Sequence, residues 1–109
     1  MVTYADRALD ALGDPTRRKV FKRIRAGALS VGEIAERMDV SRPAVSQHLR
    51  ILKKARLVVD RAEGTRRLYA VDRRGIAAVR DWLEDFWGEA LGAFKEAVER
   101  EGARERNVR

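Results

Sequence analysis

The sequence predicts a mainly α chain with a small β-hairpin, in the order α-α-α-α-β-β-α, and three stretches carry that prediction. The first is "LSVGEIAERMDVSRPAVSQHLRILKK", residues 29–54, two capped amphipathic helices with only a tight turn between them. The second is "LVVDRAEGTRRLYAVD", residues 57–72, two β-prone runs on either side of a turn. The third runs from Arg73 to about Glu101. There Ile76, Val79, Leu83, Phe86, Trp87, Ala90, Leu91, Phe94 and Val98 recur every three or four residues, as one face of a helix does.

Taken in order, Tyr4 to Leu12 sets Ala5, Ala8, Leu9 and Leu12 on one helical face. "GDPTRRKVF" then breaks and restarts the chain. Asp14 can cap, Pro15 suits a first helical turn, and Val20, Phe21 and Ile24 form the apolar side, with "RAG" closing the helix. Ser30 with Glu33 three positions on is a capping box, and Ile34, Ala35 and Met38 are its buried stripe. Ser41 caps the next helix, Pro43 sits in its first turn, and Val45, His48, Leu49 and Leu52 face inward. Leu57 to Val59 leads into the hairpin, "AEGT" turns it, and Leu68 to Val71 leads out. A helix-turn-helix followed by a β-hairpin is the winged-helix arrangement. Residues 1–103 read as one such domain with N- and C-terminal dimerisation helices, and 104–109 as a disordered tail.

Burying Val45, His48, Leu49 and Leu52 leaves Ser41, Arg42, Pro43, Ser46, Gln47 and Arg50 outward. A major groove admits one helix, and Arg, Gln and Ser can read base edges there. The helix start offers unpaired amides to a phosphate. Lys53, Lys54 and Arg56 follow, placed to meet the nucleic-acid backbone. On the hairpin, Arg61, Arg66 and Arg67 can reach a neighbouring phosphate or the minor groove, although each is equally well read as a solvated arginine.

Charge distribution agrees. The 109 residues carry 24 Lys and Arg against 17 Asp and Glu, a net charge of +7. Residues 41–74 hold 10 cations and 3 anions, whereas residues 75–101 hold 3 cations and 7 anions. The positive field thus coincides with the helix-turn-helix and hairpin, and points to a polyanionic partner. Hydrophobic residues make up 45% and charged residues 38%, a globular composition with a charged exterior.

Other classes fit poorly. Without cysteine there are no disulfides or thiolate metal sites. No basic start leads into an apolar run, and no apolar stretch reaches the roughly 20 residues of a membrane span, so a cytoplasmic protein with no membrane association is expected. No Ser/His/acid set, glycine-rich phosphate loop or metal-ligand spacing marks an enzyme, and no cofactor is expected.

The run "DPTRRKVFKRIRAGALSVGEIAERMDVSRPAVSQHLRILKKARLV", followed by "EGTRRLYAV", resembles the ArsR-type winged-helix transcriptional repressors, and the match covers about residues 8–71. Its sharpest part is Val45-Ser46-Gln47-His48-Leu49-Arg50-Ile51-Leu52. The resemblance implies that Arg42, Pro43, Ser46 and Gln47 face the groove. It also implies a left-handed turn residue where this chain has Asp39 instead of the frequent Gly. Metal-sensing members use cysteines, or Asp and His pairs on the last helix. This chain has neither, since its one histidine is His48, so no metal is expected and Asp81, Glu84, Asp85 and Glu89 read as a solvated acidic face.

Trp82, Leu83, Phe86, Trp87, Leu91 and Phe94 hold more apolar surface than so small a domain readily covers, and interfaces enrich such residues. With Leu9 and Leu12 of the first helix they are the expected homodimer interface, and Gly88 and Gly92 leave room for a second backbone. The sequence therefore points to a homodimeric repressor binding double-stranded DNA at an inverted repeat through residues 41–55 and the 57–71 wing. A winged-helix protein-interaction module and a nonspecific architectural DNA binder remain the alternatives. An unidentified small-molecule inducer is left open.

Overall fold

The computed structural model describes residues 3–107, which divide into two compact units, one ending at Val79 and the other beginning at Arg80. Helix α1 (Tyr4–Ala11) starts on a capping box the sequence reading passed over. The Thr3 hydroxyl accepts from the Asp6 amide at 3.2 Å, and the Asp6 carboxylate accepts from the Thr3 amide at 3.0 Å. Its buried residues are Ala5, Ala8 and Ala11. Helix α2 (Pro15–Arg23) has the expected Asp14 cap, which accepts from the Arg17 amide at 2.9 Å. Arg17 in turn donates to the Ala11 carbonyl at 3.0 Å, satisfying one of the open carbonyls at the end of α1.

Strand β1 (Leu29–Ser30) is a correction to the two-stranded hairpin expected from sequence. It pairs antiparallel with β3 (Arg66–Val71), which also pairs with β2 (Val58–Glu63), so the sheet order is β1-β3-β2. Two residues with no alternation of their own carry no periodic signal; their strand character comes from the partner. The β2–β3 strands also run closer to the tip than expected. Glu63 faces Arg66, leaving Gly64 and Thr65 as a two-residue turn with Gly64 at φ +63°. A positive φ at the first central position alone is the type II′ pattern, for which glycine is the usual choice.

Helix α3 (Val31–Glu36) begins on the Ser30–Glu33 capping box, and α4 (Arg42–Lys54) begins on Ser41, whose hydroxyl accepts from the Ala44 amide at 3.3 Å. The turn between them corrects a second expectation, because Asp39 is not left-handed. Arg37 and Met38 donate to the carbonyls of Ile34 and Ala35, so the chain leaves α3 through tightened right-handed turns. Among the described residues the left-handed non-glycine is Arg56, at φ +60°, just beyond α4. Its amide donates to the Lys53 carbonyl and that of Leu57 to the Leu52 carbonyl, each at 3.0 Å, which is a Schellman ending with a non-glycine residue.

The core lies among α1–α4 and the sheet. Val20, Ile34, Val45, Leu49, Leu52 and Leu57 are fully enclosed. Burying each such side chain contributes about 1.5–3 kcal/mol against chain entropy. Helix α5 (Arg73–Asn107) starts on Asp72, which is buried and grips the Arg74 backbone and guanidinium. Gly75 belongs there because a Cβ would lie 2.4 Å from the Arg56 carbonyl oxygen. The helix runs six residues past its expected end near Glu101, through most of the stretch read as a disordered tail; residues 108 and 109 of that stretch lie outside the described residues. Ala103, Arg104, Glu105 and Arg106 favour or tolerate helix well enough to continue it. No helix among the described residues is long and apolar enough to cross a membrane.

Candidate nucleic-acid interface

Helix α4 divides cleanly. Val45, Leu49 and Leu52 are fully buried, whereas Ser41, Arg42, Pro43, Gln47 and Arg50 are exposed and Ser46 is half-buried. The outward residues are those the sequence assigned to the groove. Gln47 and Arg50 lie one turn apart and just touch, with the Arg50 guanidinium donating to Gln47 Oε1 at 3.5 Å. The Arg42 guanidinium extends over Gly32 of α3. His48 is half-buried with a buried, unpartnered Nδ1, so it sits at the edge of the core.

The remaining cations are less free than their sequence suggests. Lys53 Nζ lies 2.7 Å from Asp60 Oδ1, and the Arg67 guanidinium donates to Asp60 Oδ2 at 2.8 Å. Arg66 approaches Glu33 at 3.5 Å and Arg61 approaches Glu63 at 3.6 Å. The expectation for Arg56 needs correcting. Its guanidinium lies 3.7 Å from the centre of the Tyr4 ring, so a cation–π stack engages it with α1 of its own chain. Lys54 is exposed.

Electrostatics explain the order in this wing. The hydrogen bond from Lys53, joined by one from Arg67, holds the Asp60 carboxyl below its ordinary value against the opposing effect of burial. Glu33 is lowered by the Ser30 amide and hydroxyl first and by the charge of Arg66 after them. Both acids therefore stay ionised at neutral pH and offer fixed anchors to the basic side chains. Asp60 and Glu33 were missed as parts of this site. For Asp60 the one available signal was its place in a cation-rich stretch, since residues 41–74 contain only three anions; for Glu33, read as a cap, there was none.

The other surface assigned from sequence lies on α5. Trp82, Leu83, Phe86, Trp87, Leu91 and Phe94 are all exposed within one chain, Phe94 by 68%. Trp82 stacks on Phe86 at 5.6 Å between ring centres, and Phe86 meets Trp87 edge-on. Gly88 and Gly92 border open space. On α1, Leu9 is half-buried and Leu12 packs against the core of its own unit.

A family model described as a helix-turn-helix domain matches residues 12–61. The HTH-type transcriptional regulator Rv2034 of Mycobacterium tuberculosis is 52% identical over 104 residues, spanning 94% of this chain and 97% of that protein. Among solved structures, the homodimeric winged helix-turn-helix DNA-binding domain of a Mycobacterium bovis protein, a possible ArsR-family regulator, superposes with a TM-score of 0.64. It is 26% identical and covers 81% of this chain and 82% of that one. This chain belongs to the ArsR family of transcriptional regulators. The transcriptional repressor SdpR of Bacillus subtilis is 34% identical over 76 residues, 70% of this chain and 84% of that protein. As an ArsR-family member the chain is a DNA-binding transcriptional regulator, and α3–α4 with the β2–β3 wing are its helix-turn-helix and wing.

Proposed function

We propose that this ArsR-family regulator is a homodimeric repressor that occupies an inverted-repeat operator and blocks polymerase there, acting in the cytoplasm without catalysis. The observation carrying the reading is the exposed row Arg42, Gln47 and Arg50 on α4, within a segment of 10 cations and 3 anions. Arg and Gln are suited to guanine and adenine edges respectively, and the exposed Lys54 and the wing arginines to phosphates. Two copies joined through the apolar stripe of α5, with Leu9 and Leu12, would set two α4 helices roughly 34 Å apart, one turn of duplex. The repressor relative and the homodimeric neighbour support this assembly.

The test is an anisotropy titration of the wild-type protein against the duplex upstream of its own gene and a scrambled duplex of equal composition. Preferential, salt-sensitive binding to one inverted repeat is expected. The double variant Arg42→Ala, Gln47→Ala should lower that preference roughly tenfold to hundredfold while sparing binding to the scrambled duplex. Equal wild-type affinity for both duplexes would remove the repressor reading and favour the architectural binder.

A further inference from the structure

Asp60 sits on β2 with its side chain only 10% exposed, between the end of α4 and strand β3. Its two oxygens serve different partners. Oδ1 takes Lys53 of α4 at 2.7 Å and Oδ2 takes Arg67 of β3 at 2.8 Å, so both bonds hold at once. Both cations remain more than half exposed beyond the pair. An acid in a surface that meets a polyanion weakens raw attraction, so affinity alone does not account for a carboxylate here. We propose that Asp60 is a positioning residue that locks α4 and the wing into one surface, so that operator preference depends on a carboxylate making no DNA contact itself.

The proposal rests on the repressor reading, and the wing supplies its own control. Glu63 is the other acid of the hairpin, but it is 61% exposed and among the described residues its carboxylate pairs with Arg61 of its own strand, at 3.6 Å. Removing either acid deletes one negative charge, and only Asp60 joins two elements. Charge removal and loss of alignment are thereby separable.

The experiment compares wild type, Asp60→Asn and Glu63→Gln. Each is titrated with the inverted repeat that the wild type selects from a random duplex pool and with its scrambled counterpart, over a range of salt. Asp60→Asn should bind the scrambled duplex more tightly, with a salt slope steeper by up to about two as Lys53 and Arg67 are released. Its preference for the selected repeat should fall roughly tenfold, the value of about one good base contact. Glu63→Gln should raise both affinities alike and leave preference within about twofold. In the DNA-free protein, amide exchange across residues 58–71 should quicken in Asp60→Asn and not in Glu63→Gln. If Asp60→Asn does not fold, Arg67→Gln opens the same clamp from its exposed arm and should quicken the same amides. Wild-type preference and exchange in the Asp60 variant, or equal loss of preference in the Glu63 variant, would overturn the proposal. Failure of the wild type to select any repeat overturns the repressor reading instead, and amide exchange then still decides the clamp.

Discussion

Helix α4 and the part of α5 beyond Val79 are both amphipathic, yet they spend their apolar faces in opposite ways. In α4, Val45, Leu49 and Leu52 disappear into the chain's own core and what remains outside is polar and basic. In α5, Trp87, Leu91 and Phe94 are more than half exposed while their helix is acidic. A helix with a satisfied apolar side and an exposed polar side is ready to read a polar ligand. A helix whose apolar side stays open is unfinished until another apolar surface covers it.

Three measurements sharpen this contrast. The largest effect belongs to Leu49→Ala, which empties a fully buried site and should cost about 2–5 kcal/mol of folding stability by denaturant unfolding. The double variant Trp87→Ala, Phe94→Ala removes more apolar surface but creates no cavity within one chain. It should weaken self-association about a hundredfold in sedimentation, as the loss of interface anchors does, and leave the unfolding of the dissociated chain near wild type. A loss of folding stability in that variant as large as that of Leu49→Ala would break the comparison.

The smallest effect concerns pH. Asp6, Asp14, Glu33, Asp60 and Asp72 all have carboxyls held below their ordinary values, chiefly by hydrogen bonds at caps and from Lys53 and Arg74. All five belong to the Met1–Val79 unit. Because the folded state binds their protons less readily than the unfolded chain, their stabilisation is complete above the ordinary carboxylate range, from about pH 5 upward. It declines as pH falls through the lowered values. The melting temperature should therefore drop on acidification below about pH 5 and hold steady from there toward neutrality. A melting temperature that rose in acid would show that the caps contribute nothing.

What could be read from sequence was local. Asp14-Pro15, Ser30 with Glu33, and Ser41 with Pro43 announce helix starts because a cap and its amide lie within one turn of each other, and all three are present. The outward face of α4 followed from a period of 3.6 applied to Val45, Leu49 and Leu52. Long-range pairings were not legible. Strand β1 exists because Leu29 meets Tyr69, forty residues away in the chain. The partners of Lys53 and Arg67 are set by strand register, which sequence periodicity does not reveal. Arg56 escaped because a left-handed residue is expected to be Gly or Asn, and here the Leu52–Leu57 closure and the Tyr4 stack hold an arginine in that conformation.

The close approach at Gly75 has a mechanical meaning. The Arg56 carbonyl, at the exit of α4, receives the Gly75 amide at 2.8 Å, and the Leu57 carbonyl receives that of Asp72 at 2.9 Å. Two backbone hydrogen bonds thus fasten the opening turn of α5 to the chain just beyond α4, the helix proposed to read DNA, with no side chain as intermediary. Pulling the first turn of α5 away from the exit of α4 would therefore break both of these main-chain bonds.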